Sequence, residues 1–445
     1  MAASVLFKAF CRTYQGVFRV AVNFLDWTEP QLVKGAGSVK KLPQVVKANG
    51  HDRVLVVTDK GLMGLHLLDG LFEGLEKAGV KYFVYDGTQP NPTIDNIEEA
   101  RKLYADNNCS AVIAFGGGSP MDCAKVAAAR IAKPNKTVQQ MRGTLKILKK
   151  LPTIYAVPTT AGTGSETTIA AVVSDPSTHE KYALQDPVLR PKYAVLDPEL
   201  TIGLPPHITS TTGMDALTHA VEAYIGHSNT KGTALAAEKA TKMIFENILK
   251  VYENGKDIDA RENMLEASYL AGIAFTRAYV GYVHAIAHNL GGMYGTPHGL
   301  ANAVVLPYVL EYFGETAYAP LAKLAVIAGL DTKGMNDEQK AKLFIESIKE
   351  FNKKMNIPDK LEILEKDIPT IAKRALKEGN PLYPVPKIMD LEECMAVIRR
   401  IAKYNPQNRK FHAAPCQIPV NIHTTKILRN HLILDTRLPP SGMYT

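Results

Sequence analysis

The segment GYVHAIAHNLGGMYGTPHG, residues 281–299, holds His284, His288 and His298, a quarter of the chain's 12 histidines. They stand among Val, Ala, Ile and Leu, where a neutral imidazole needs partners for both ring nitrogens. His284 and His288 are four residues apart, so on a helix they share a face. Gly295 and Pro297 end that helix and present His298 from a turn. A second stretch, GMDALTHAVEAY (213–224), sets Asp215 and His219 four apart as well. Alone, such a pair reads as a capping carboxylate and a satisfied core imidazole. Several histidines on adjoining helices, facing an Asp–His pair, suit a divalent ion: a one-carboxylate, multi-imidazole donor set takes Fe²⁺ or Zn²⁺. The spacing leaves open which histidine stays off the metal.

Two glycine-rich stretches carry a different chemistry. GGGSPMDCAK (116–125) follows an apolar run and opens a helix. Glycine lets backbone approach a ligand closely, and a helix N-terminus offers free N–H groups to a phosphate. The stretch does not match GxGxxG, and a tight strand-to-helix turn has the same look. PTTAGTGSE (158–166) repeats the arrangement after another apolar run, with the hydroxyls of Thr159, Thr160 and Thr163. Two such loops at one edge of a parallel sheet imply a nucleotide lying across the strand C-termini. Asp59 ends the run VVTD and suits the ribose hydroxyls of NAD, repelling the 2′-phosphate of NADP. It suits equally the cap of the next helix.

The elements that position these groups follow from periodicity. RVLVVT (53–58), KYFVYD (81–86), SAVIAF (110–115), TIYAVP (153–158) and KYAVLDP (192–198) read as strands, with helical spacing over 61–78, 94–107 and from Ser119. Strands alternating with helices predict a doubly wound parallel sheet. After about residue 204 β-rich runs cease, and Ala/Leu/Glu/Lys stretches predict helices over 212–226, 232–253, 258–277, 281–293, 317–328, 336–355, 368–378 and 389–403. The expected fold class is an α/β N-terminal nucleotide-binding domain with a Rossmann-like parallel sheet, plus an all-α C-terminal metal-binding domain. The boundary falls at GLPPHIT (203–209), giving 31–203 and 204–403 between a 1–30 extension and a 404–445 tail. Ligand pockets favour such interfaces.

At 445 residues the chain is too long for one compact domain, and 46 % hydrophobic with 22 % charged residues is ordinary globular composition. Its net charge of +8 raises nucleic-acid binding, but the lysines are dispersed among acids, with no basic block interleaved with aromatics. No apolar run approaches the roughly 20 residues of a membrane span. Five cysteines, far apart and without CxxC, predict neither disulfides nor a thiolate zinc site and fit a reducing, cytoplasmic compartment. Residues 1–25 contain Lys8, Arg12 and Arg19 and no acid before Asp26. They read as an amphipathic helix packed on the protein, with an organelle-targeting leader or a membrane-surface helix left open. Residues 404–445 show no clear period and read as an appended or disordered tail.

Taken together, VVTDKGL, QPNPT, GGGSPMDCAK, PTTAGTGSE, GMDALTHAVEAY and HAIAHNLGGMYGTPHG make the chain resemble the iron-dependent (group III) alcohol dehydrogenases of the dehydroquinate-synthase-like superfamily, over about residues 30–403. The resemblance implies metal ligands at Asp215, His219, His284 and His298, and a non-ligand His288 beside the nicotinamide. It implies NAD(P) contacts at Asp59, Asn91, Gly117, Gly118, Ser119, Asp122, Thr159, Thr160 and Thr163, and at Lys181 in HEKYALQDP near the cofactor ribose. The implied activity is oxidation of a small primary alcohol or diol to its aldehyde with NAD, and the reverse, with NADP less suited. The alternatives are a zinc-dependent glycerol-type polyol dehydrogenase of the same superfamily and a non-catalytic binding or assembly protein that keeps the fold. A homo-oligomer is implied by resemblance alone.

Overall fold

The apolar runs ending in turn residues become strands. The structure, a computed structural model, describes residues 5–176 and 180–403, so expectations for the 404–445 tail lie outside the described residues. The strands are Gln31–Lys34 (β1), Arg53–Val57 (β2), Lys81–Tyr85 (β3), Ala111–Gly116 (β4), Gly143–Thr144 (β5), Thr153–Pro158 (β6), Ala170–Asp175 (β7), Glu180–Gln185 (β8) and Tyr193–Leu196 (β9). Before the last of them lie helices Val5–Ala21 (α1), Leu42–Ala48 (α2), Lys60–Gly64 (α3), Asp69–Lys77 (α4), Ile94–Asp106 (α5) and Gly118–Ala132 (α6). After it come Pro206–Ile225 (α7), Lys231–Glu253 (α8), Ile258–Ala278 (α9), Tyr282–Tyr294 (α10), His298–Phe313 (α11), Glu315–Ile327 (α12), Asp337–Lys354 (α13), Ile368–Gly379 (α14) and Leu391–Ile401 (α15).

Six strands form one parallel sheet in the order β1-β9-β6-β4-β2-β3. Val54 to Val57 and Ala111 to Phe115 are buried, as a sheet covered by helices on both faces requires. A small second sheet, β5-β8-β7, contains the antiparallel pair β7–β8. That hairpin is not among the sequence expectations, because its strands AAVVSD and EKYALQ are only half buried and carry Ser, Asp, Glu, Lys and Gln among few strong strand formers. The last strand ends at Leu196 and the first long helix starts behind Pro205 and Pro206, which set its entry.

Helix α7 runs through the middle of the helical part with Gly213 to Ile225 buried. It carries Asp215, His219 and Glu222, spaced to share one face. Helix α11 escapes the periodicity reading because it is buried on most sides and contains Pro307, which reads as a break. Its start also corrects a sequence expectation. Gly295 does end α10, with φ 67°, but His298 is the first residue of α11 rather than a turn residue.

Helix α1 packs on the helical part. Cys11 is buried in its core, and Arg12 donates to the carbonyls of Val385 (2.7 Å) and Pro386 (2.8 Å). Gln15 donates to those of Pro381 (3.0 Å) and Tyr383 (2.8 Å). No helix among the described residues is long and apolar enough to cross a membrane.

Candidate metal centre and cofactor edge

Asp215 and His219 project from α7, His284 from α10 and His298 from the first turn of α11. One ligand atom from each lies within 4.8 Å of all the others. The Nε2 of His284 and of His298 lie 3.8 and 3.5 Å from Asp215 Oδ1. The rings of His219 and His284 stack at 4.5 Å between centroids. Such density of donors with no donor–acceptor logic among themselves suits a cation. Two observations test the fit. His284 Nε2 and His219 Nδ1 are buried without a hydrogen-bond partner, which is costly unless something else occupies the lone pair. Burial also pushes the pKa of His219 and His284 down and that of His298 to about 4, so all three are held neutral, the form in which an imidazole can ligate a metal. The residues fit a divalent metal.

The surrounding side chains orient this set. Glu222 accepts from His284 Nδ1 at 2.6 Å and from the Val283 N–H at 2.8 Å. That bond fixes the His284 tautomer and turns Nε2 toward the cluster, as carboxylate partners of metal-bound histidines do. Desolvation raises the Glu222 carboxyl to about 7. Asn302, one turn beyond His298, donates to Asp215 Oδ1 at 2.6 Å and lies 3.1 Å from His298 Nε2. His288 is turned another way: its Nδ1 pairs with Glu378 at 2.7 Å, and Tyr383 also donates to Glu378, at 2.9 Å. Burial works against a charge on His288, but Glu378 prevails and its pKa is raised. Its ring stacks on His298 with centroids 5.2 Å apart, at the open side of the pocket. Asp215, His219 and His284 lie deeper.

Asp59, Gly117–Ser119 and Thr159–Thr163 sit at the C-terminal ends of the neighbouring strands β2, β4 and β6. The two loops touch: the Thr159 N–H bonds to the Gly116 carbonyl at 3.1 Å. Asp59 caps α3, accepting from the Leu62 N–H at 3.0 Å, so the capping role weighed from sequence is present. Asn91 follows β3, and its N–H bonds to Ser119 Oγ at 3.1 Å, which joins it to the start of α6. Lys181 on β8 hydrogen-bonds Asn91. Burial lowers the Lys181 pKa, and its charge in turn acts on His288 and His298, so it stands between the loops and the histidines.

Asp122 faces inward. Its two carboxylate oxygens accept from Ser165 Oγ (3.2 Å) and the Val172 N–H (3.0 Å). Beside it Lys125, wholly buried, donates to Ser165 Oγ (2.9 Å), Thr168 Oγ1 (2.8 Å) and the carbonyls of Thr168 (3.1 Å) and Ala170 (3.0 Å). The helix that begins at the first glycine loop thereby grips the second. The second loop in turn threads between sheet and helices. Gly164 has φ +58°, and a Cβ there would lie 2.8 Å from Gly272 Cα; one at Gly162 would lie 2.7 Å from Thr212 Cβ. Only glycine fits both places.

Glu222, Asn302, Glu378 and Lys125 are absent from the sequence expectations. Glu222 was within reach, since it continues the Asp215–His219 face by a further turn. Glu378 lies 90 residues from His288, and nothing in the sequence ties the two.

The model of the family "iron-containing alcohol dehydrogenase" matches residues 30–198, and that of the C-terminal part of the Fe-containing alcohol dehydrogenase family matches residues 209–402. The chain is 38 % identical to the 1,3-propanediol dehydrogenase of Citrobacter freundii over 351 residues, 78 % of this chain and 90 % of that one. A crystal structure of a 1,3-propanediol oxidoreductase superimposes with TM-score 0.82 at 35 % identity, covering 85 % of this chain and all of the other. The sulfoacetaldehyde reductase of Bifidobacterium kashiwanohense, solved in complex with NAD⁺, superimposes with TM-score 0.76 at 26 % identity, covering 86 % of this chain and all of the other.

Proposed function

The chain belongs to the iron-containing alcohol dehydrogenase family and is an enzyme interconverting an alcohol and an aldehyde; on that premise we propose that it reduces a short aldehyde to a primary alcohol or diol, and the reverse, with NAD(H) and Fe²⁺. Residues 31–203 would bind the dinucleotide and residues 204–403 the metal. The observation that carries this is the set of Asp215, His219, His284 and His298, whose donor atoms converge within 4.8 Å around the unpartnered His284 Nε2.

These four residues would hold the ion. When bound, the ion supplies Lewis acidity to the substrate oxygen, while the nicotinamide carries the hydride. The protein's own part is orientation and proton handling. Glu222 keeps His284 in the tautomer that offers Nε2. Asn302 holds Asp215 in place. His288, tied at Nδ1 to Glu378, takes or returns the alcohol proton at Nε2, and the Glu378 carboxylate steadies its positive charge. Asp59, Asn91, Gly117, Gly118, Ser119, Thr159, Thr160, Thr163 and Lys181 line the edge where the dinucleotide would lie. Asp59 would disfavour a 2′-phosphate, which supports NAD over NADP. Asp122 serves from behind, by holding the second loop.

The donor set also suits Zn²⁺, which keeps a glycerol-type polyol dehydrogenase as the second reading. One experiment separates the readings. The protein is purified without oxygen and stripped with chelator. NADH oxidation is then followed with a panel of short aldehydes and hydroxyaldehydes after adding Fe²⁺ or Zn²⁺. Turnover restored by Fe²⁺ is expected. Turnover restored by Zn²⁺ alone selects the polyol reading. No turnover with either metal, in a folded protein that still binds NADH, sinks the catalytic proposal.

A further inference from the structure

Helix α1 is amphipathic in the inverted sense. Leu6, Phe10 and Val17 are exposed, while Arg12 and Gln15 look inward and Gln15 is buried. A polar side chain turned toward the body of a protein needs partners there. These two find them on the segment PLYPVP, residues 381–386. Pro381, Pro384 and Pro386 have no N–H, so the segment cannot build a regular ladder and offers its carbonyls to other donors. Gln15 Nε2 donates to the carbonyls of Pro381 and Tyr383, and the Arg12 guanidinium to those of Val385 and Pro386. Arg12 also donates to Gln15 Oε1 at 2.9 Å, which locks the two side chains together.

The clamped segment follows closely on Glu378, the partner of His288, and carries Tyr383. The Tyr383 hydroxyl donates to Glu378 Oε1 at 2.9 Å, the same oxygen that His288 Nδ1 meets at 2.7 Å. Burial and the Glu378 charge keep Tyr383 protonated, and so a donor. The side chains of His288 and Glu378 are 32 % and 31 % exposed. A pair that open to water holds its geometry weakly, because solvent screens it and both side chains give up rotamer freedom. A second, fixed donor keeps the carboxylate in one orientation. Tyr383 is only 6 % exposed, and its backbone is held on both sides: its N–H bonds to the Gly379 carbonyl at 2.6 Å and its carbonyl accepts from Gln15 at 2.8 Å.

We propose that Gln15, backed by Arg12, is a positioning residue for the reaction: by fixing Tyr383 it fixes Glu378, and through Glu378 the ring of His288. The inference rests on the reading of His288 as the group that takes and returns the alcohol proton. Proton transfer needs donor and acceptor within hydrogen-bond reach, so a ring that loses its orientation slows that step while binding persists. Mooring α1 to the body does not need these bonds. Cys11 is wholly buried in the helical core, and Phe18 packs on Tyr279 with ring centroids 5.6 Å apart. The four inward bonds go instead to the one irregular segment that carries Tyr383. Helix α1 also precedes the part of the chain that matches the family model, which begins at residue 30. It adds an outer support to a site whose candidate ligands all lie within the matched part.

The test is a double-mutant cycle in the intact enzyme, with metal content, NADH Kd and melting temperature measured for every variant. Gln15→Leu keeps the size of the side chain and removes both donated bonds. Its kcat should fall about ten-fold, with the aldehyde KM, the NADH Kd and the metal content within about two-fold. Tyr383→Phe removes one hydroxyl and leaves α1 untouched; its kcat should fall about five-fold. In a His288→Ala background neither change should lower kcat further, because residues that act through one group are not additive. A purely structural role would lower the melting temperature and leave the cycle additive. Should Gln15→Leu not fold, Gln15→Asn, which keeps the amide but withdraws it by one methylene, takes its place. Two results overturn the proposal while the reading of His288 stands: a kcat unchanged in either variant, or losses that persist in full in the His288→Ala background. If His288→Ala itself leaves kcat unchanged, that reading fails and the inference falls with it.

Discussion

At the helical pocket, the contacts that aim Asp215, His284 and His298 come from other side chains, whereas His219 meets the Gly162 backbone. Glu222 holds His284, Asn302 holds Asp215 and His298, and Glu378 holds the neighbouring His288. At the sheet edge the surface offered to a cofactor is largely backbone: glycine loops, threonines and the first turn of α6. There the side chains work one layer behind, as Asp122 and Lys125 do on Ser165 and Thr168. The contrast teaches where each half is vulnerable. A point change in the pocket removes a donor outright, whereas a change behind the loops shifts a backbone whose own groups remain.

The sharpest way to break this contrast is His284→Ala. It should remove the metal, measured by elemental analysis, and lower kcat by roughly 1,000-fold, since Lewis-acid assistance is worth several kcal/mol and each 1.36 kcal/mol is ten-fold. NADH affinity should stay within about two-fold; a joint loss of both would mean the halves are not independent.

His288→Ala comes next. A proton-handling residue contributes about 100-fold or more, so the rate should fall by that order at unchanged metal content. Metal loss in this variant would make His288 a ligand and refute the assignment.

Glu222→Gln keeps the shape of the side chain but alters what it can accept. Metal affinity, titrated against a competing chelator, should weaken by about 10- to 100-fold, as for other partners of metal-bound histidines. An unchanged affinity would reduce Glu222 to a packing residue.

Lys125→Met probes the other half. The loop carbonyls and hydroxyls it serves lose a charged donor worth about 1.5–3 kcal/mol. The Kd for NADH should rise by about ten-fold and the melting temperature should fall, with metal content unaltered. Metal loss here would show that the loop supports both sites.

The smallest effect concerns pH. Desolvation raises Glu166 from the ordinary 4.5 to about 7. Below about 4.5 folded and unfolded chains both hold this proton. Between 4.5 and 7 the folded chain holds a proton that the unfolded chain has released, so stability falls as pH rises through that window. Burial lowers Lys125 to about 8, which works the opposite way between 8 and the ordinary 10.5. The melting temperature of Glu166→Gln should therefore vary less between pH 4.5 and 7 than that of the unaltered enzyme. Equal slopes would mean that Glu166 titrates normally.

Residue types and spacing indicated the parallel-sheet-plus-helices fold and a cluster of Asp215, His219, His284 and His298 suited to a metal. Period-two and buried runs marked β2, β3, β4, β6 and β9, and four-residue spacing put Asp215 with His219 on one helix face and His284 on the next. Those signals survive in sequence because they are local: one strand, one turn, one helix. The same locality explains the gaps. Helix α11, buried on most sides, has no polar face to set a period, and β7–β8 is half-buried, with Ser174, Asp175, Glu180, Lys181 and Gln185 diluting its apolar residues. Only the tertiary structure decided that His298 opens a helix beside Asp215, that Glu378 stands behind His288, that Lys125 locks one phosphate-type loop to the other, and that α1 turns its apolar side outward. Each of these depends on which surfaces meet across tens to hundreds of residues, and burial and hydrogen-bond satisfaction settle that only when the whole chain has packed.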